Sequence, residues 1–156
     1  MSTFRKRPKG DYLEKADWAS LYELTQHWKS ELLFYKDELR FFHRLIENYF
    51  IWMTLGENLD AVRELEMDLL DADKNCEDLS QKVVKHLTQL AETVENPKNG
   101  LTRVFRMEHG NLEDDISHFA KTFKIARKDV MAVTEHVLQS EHWIDLKHHL
   151  AHPNVA

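Results

Sequence analysis

Residues 18–53 read WASLYELTQHWKSELLFYKDELRFFHRLIENYFIWM, and this stretch decides the fold. Its seam runs Trp18, Leu21, Thr25, Trp28, Leu32, Tyr35, Leu39, Phe42, Ile46, Tyr49, Met53. The steps alternate between three and four residues without a slip. That alternation keeps every seam side chain on one stripe of an α-helix and gives a heptad pattern. A half-buried strand would need a period of two. Leu24, Leu45 and Trp52 flank the seam on one side, and Phe34 and Phe41 on the other. The stripe is therefore expected to serve two neighbouring helices. Asp17 is placed to cap this helix and Gly56 to end it.

Working outward, the same rule holds twice more. A second seam reads Val62, Leu65, Leu69, Ala72, Cys76, Leu79, Val83, His86, Leu90. A third reads Phe105, His109, Leu112, Ile116, Phe119, Phe123, Ala126, Val130, Val133, Val137, and continues to Ser140 and Ile144. Asn96, Pro97, Asn99 and Gly100 separate the two. Helices of about 35–45 residues are about 55–65 Å long, and short connections make sequential neighbours antiparallel. The expected fold is all-α: an elongated up-down-up bundle of three long helices. A break at Asp71–Asn75, or at Gly110 with Asn111 as a cap, would make it a four-helix bundle. The expected organisation is a flexible basic arm over 1–16, one bundle domain over 17–148, and a frayed tail over 149–156.

Composition agrees. Four Gly and three Pro in 156 residues are too few for a sheet or a loop-rich fold. The formal net charge of −6 argues against a general nucleic-acid or acidic-lipid surface. Only the arm, with Arg5, Lys6, Arg7 and Lys9, has the charge to contact nucleic acid. A lone Cys76 excludes an intrachain disulfide and suits a reducing compartment. No secretory leader and no apolar run of membrane-spanning length is visible, so a cytoplasmic location is expected.

No phosphate loop, nucleophile elbow or Cys-x-x-Cys pair is present, and Cys76 on a seam reads as a small buried hydrophobe. The ten histidines raise the question of metal. His27/Glu31, His43/Glu47 and His109/Glu113 are each one helical turn apart, which lets both side chains of a pair grip one ion. His43 and Glu47 point away from the seam and read as a solvated face. The Glu-x-x-His element of ferritin-like di-iron bundles does not occur. His142, His148, His149 and His152 form a separate cluster near the end.

Register narrows the field. Trp28 and His86 lie 28 and 30 residues either side of Gly56, and His86 and His109 lie 12 and 11 either side of Lys98. Antiparallel packing then brings Trp28, His86 and His109 to one height. Two outcomes are open there. One is a buried polar layer that fixes register, its ring nitrogens satisfied by Glu31, Thr25 or water. The other is a zinc or iron site with His86 and His109 as ligands, completed by Glu31, Glu113 or His27.

The run Trp28, Glu31-Leu32, Phe34-Tyr35-Lys36-Asp37-Glu38-Leu39, Phe42, Arg44-Leu45 and Glu47 resembles the opening helix of an uncharacterised family. Its members are small cytosolic helical-bundle proteins common in Bacteroidetes. His118-Phe119, Phe123, Arg127 and Val133 resemble that family's final helix, while the second helix fits in its apolar register and in His86. The resemblance covers about two thirds of the chain and implies a long-helix bundle in a bacterial cytoplasm. In those relatives a His stands three residues before the Trp. Here that position is Thr25; if those relatives bind metal through that His, this chain has replaced one ligand, with His27 as the substitute.

Two functional expectations follow. The first is a non-enzymatic helical-bundle protein acting through association with a protein partner or with itself. Wide apolar stripes, heavy surface charge and the lack of a catalytic constellation motivate it. The second is a His/carboxylate metal-binding bundle, a store, sensor or oxidoreductase.

Overall fold

The computed structural model describes residues 16–53, 58–95 and 103–139. They form three helices, α1 (Trp18–Met53), α2 (Asn58–Glu95) and α3 (Arg103–Gln139), with no strand among them. The arm up to residue 15, both connections and the tail from 140 lie outside the described residues. With them lie Gly56, Pro97, Gly100 and the His142–His152 cluster.

Asp17 caps α1 as its side chain predicts. Its Oδ1 accepts the Ser20 amide at 2.8 Å, and its carbonyl accepts the Leu21 amide at 3.2 Å. The backbone bond from Ser20 also lowers the carboxyl pKa, which keeps the acceptor ionised.

The seams become the core. All nine positions of the second seam are buried in α2. In α1, Leu21, Thr25, Trp28, Leu32, Leu39, Phe42 and Ile46 are buried, and Tyr35 and Tyr49 are half-buried. In α3 the buried run extends from His109 to Val130, with Phe105 and Val133 half-buried. Each seam residue removes apolar surface from water, at about 25 cal/mol per Å².

Three points refine the sequence expectations. First, as the unbroken seam implies, α2 runs through Asp71–Asn75 without a break, and α3 starts at Arg103 and runs through Gly110, with Asn111 exposed inside the helix. Asp, Asn and Gly each cost up to about 1 kcal/mol in a helix interior. Burial of Leu69, Ala72 and Cys76 around one cluster, and of His109 and Leu112 around the other, outweighs that cost. The helix count among the described residues is therefore three. Second, Phe34 and Phe41 do not join the core. They are 55% and 52% exposed, while Leu24 and Leu45 pack against it. Third, Ala16 is not part of a free arm, because its carbonyl accepts from Arg106 of α3 at 2.8 Å.

Cross-helix contacts set the topology. Lys36 meets Glu77 at 3.3 Å and His43 meets Asp73 at 2.6 Å, so α1 and α2 are antiparallel. Tyr35 packs on Phe119 and Phe123, and Phe42 on Phe123, so α1 and α3 run parallel. Arg127 of α3 bonds Glu38 of α1 and lies over the Phe123 ring at 5.3 Å. Packing is closest between α1 and α2 and lightest between α1 and α3. Among the described residues no helix is long and apolar enough to cross a membrane.

Candidate functional site

The polar residues buried in this core are Thr25, His86 and His109. Thr25 turns its hydroxyl onto its own helix, donating to the Leu21 carbonyl at 2.6 Å. The two histidines occupy seam positions on α2 and α3, where an antiparallel crossing puts them face to face. His86 Nε2 and His109 Nδ1 are 2.7 Å apart, so one ring donates an N–H to the lone pair of the other. His86 stacks on Phe105 with ring centres 4.4 Å apart and planes within 5°. His109 lies against the Trp28 indole at 4.7 Å. The layer of Trp28, His86 and His109 is thus formed from three helices.

Burial pushes the His86 imidazole pKa down to about 4, because a cation there would lose its hydration. At neutral pH the His86 ring is uncharged. Its environment is not sealed. His86 also lines a cleft of about 260 Å³ between α2 and α3, with Lys85, Gln89, Glu108 and Asn111 around it.

The remaining candidate ligands are placed differently. His27 and Glu31 approach each other at 3.7 Å on α1, with His27 45% exposed. Glu113 is half-buried one turn after His109. Among the described residues no three His, Cys, Asp or Glu side chains converge closely enough to hold a metal ion. The structure joins His86 to His109, and His27 to Glu31.

No family model, no curated protein and no solved structure matches this chain. What the site can do must come from its geometry.

Two imidazoles bound to one tetrahedral zinc, with Zn–N near 2.0–2.1 Å, place their nitrogens roughly 3.3 Å apart. The 2.7 Å separation is that of a direct hydrogen bond, with the shared proton where a metal would sit. A metal would have to displace that proton and spread the rings. Cys76 offers no substitute chemistry. It is buried, its thiol contacts the Leu32 carbonyl at 3.5 Å, and burial raises its pKa.

Other features were not foreseen from the sequence. His43, expected on a solvated face, reaches across to Asp73 of α2. Asp71 and Asn75, from the cluster that suggested a break, line a groove between α2 and α3 together with Asp115 and Asp129 of α3. Their signal was present: Asp68, Asp71, Asn75 and Asp78 recur at three- and four-residue steps on one face of α2.

Proposed function

We propose that this chain is a non-enzymatic helical-bundle protein that acts through protein–protein association. The observation that supports this is the outer face of α1. Leu33, Phe34 and Phe41 are each more than half exposed, and Phe34 and Phe41 stand one heptad apart. A helix with a complete buried seam has no packing need for two further phenylalanines, and their exposure costs solubility unless a partner covers them. Covering one such ring on association is worth about 2 kcal/mol. The test is sedimentation across a wide concentration range, together with affinity capture by the purified chain. The Phe34→Glu/Phe41→Glu variant should lose whichever association is found. A monomer at every concentration that captures nothing overturns the reading.

The second reading is a metal-binding bundle, favoured by the meeting of His86 and His109. Elemental analysis of untagged protein purified without chelator decides it. About one zinc or iron per chain, lost in His86→Ala and His109→Ala, supports it. An empty protein that is not stabilised by added zinc or ferrous iron leaves a structural imidazole pair.

A further inference from the structure

We infer that the association proposed above is made by a second copy of this chain, whose α1 outer face lies in the groove between α2 and α3. The inference rests on the association reading and adds the partner and both contact surfaces.

The groove encloses about 560 Å³. Its floor is apolar, with Leu79 of α2 and Phe119 of α3, and Ala72 and Ala126 are small enough to let a helix approach closely. Its rims are acidic. Asp68, Asp71 and Asp78 stand on one side and Asp115 and Asp129 on the other, all exposed, against Lys82 alone. None of the five takes part in an ion pair among the described residues. Ile125, 62% exposed, sits on the α3 rim. An apolar trough flanked by two rows of like charge has the form of a bundle that leaves room for one more helix.

The helix that fits is cationic and apolar on one face, and this chain presents one. Lys29, Leu33, Arg40 and Arg44 share a strip on the outside of α1, all exposed, with Phe34 and Phe41 about a quarter turn further round the helix and the exposed Asp37 between. Arg40 has only a 3.6 Å contact to the exposed Asp37. From Lys29 to Arg44 the strip is about 22 Å long, and from Asp68 to Lys82 the groove is about 21 Å long, at 1.5 Å per residue. Length and apolar character correspond, and three cations against the one carboxylate of Asp37 leave the face net positive opposite the five groove aspartates. The overall charge of −6 does not forbid the contact, because charges beyond about 10 Å are screened while those across the groove are not.

The test uses two folded variants of the full chain. Asp71→Lys/Asp129→Lys disables the groove, and Arg40→Glu/Arg44→Glu disables the strip. Circular dichroism first establishes that each keeps its helix content. Each alone should self-associate on the order of tenfold more weakly than the parent chain. Mixed, they should associate again, because one retains a native strip and the other a native groove. Dimerisation of either variant at parental strength overturns the groove assignment while leaving association intact. A mixture that stays monomeric also overturns it. If the parent chain associates only after residues 1–15 are removed, the chain's own basic arm is the occupant, and the second copy is overturned.

Discussion

At the scale of single residues, His86 makes its own contribution to how stability depends on pH. Its folded pKa is about 4, against an ordinary 6.5. Between those values the unfolded chain binds a proton that the folded chain refuses, so stability rises with pH through that window. The contribution is complete above about pH 6.5 and is lost as pH falls toward 4. The loss should be on the order of 2 kcal/mol, the full 1.36 kcal/mol per pKa unit being reduced by the open cleft beside the ring. Urea unfolding at a series of pH values measures it. His86→Leu/His109→Leu should flatten the profile and change stability at pH 7 by less than about 1 kcal/mol, because both hydrogen-bonding partners are removed together. A large destabilisation at pH 7 would mean that the pair does more than satisfy itself. The meeting of these rings was legible in the sequence, since it follows from counting residues either side of two turns. The 2.7 Å contact that fills the space between them was not, because ring orientation depends on packing by Phe105 and Trp28.

At the scale of the element, the seams were legible because burial enforces them at every turn. The whole second seam is buried, including Ala72 and Cys76, which are weak signals alone. The three-helix count was legible in the unbroken seams, with a break at Asp71–Asn75 or Gly110 left open. Asp71–Asn75 favours a turn locally, and only tertiary packing decides against it. A continuous α2 makes a definite prediction: Lys74→Pro, at an exposed position inside the cluster, should cost about 3 kcal/mol or more. At a break the same change would be nearly neutral, and thermal unfolding separates the two. The light packing between α1 and α3 gives a further prediction. Arg127 bonds Glu38 there while its Nε is buried without a partner among the described residues. Glu38→Ala should therefore cost about 1 kcal/mol, more than a solvated surface pair, and Arg127→Met should recover most of that loss in the Glu38→Ala background. The groove itself was hidden from the sequence. A heptad pattern says which side chains face inward, not how far apart two helices stand where Ala72 and Ala126 replace larger residues.

At the scale of the whole molecule, the two proposed contact surfaces lie on opposite sides. Three helices share one core, α1 packs on both others, and the α2–α3 groove therefore faces away from α1. A strip and a groove on opposite sides cannot both be used between the same two copies. Each copy offers its groove to the next, and the contact repeats until a ring closes or the chain of copies runs on. Sedimentation should show this directly. The weight-average mass should climb with concentration past that of a dimer, whereas a two-fold contact through Phe34 and Phe41 alone would level off at twice 18.6 kDa. Salt divides the two contributions. Raising it from about 0.05 to 0.5 M weakens the pairing of Lys29, Arg40 and Arg44 with the groove aspartates, while burial of Leu33, Phe34 and Phe41 is unaffected or strengthened. Growth beyond the dimer should therefore shrink with salt in the parent chain and respond less steeply to salt in Asp71→Asn/Asp129→Asn, where three of the five rim charges remain. A dimer plateau unmoved by salt in both proteins would assign the association to the phenylalanines alone.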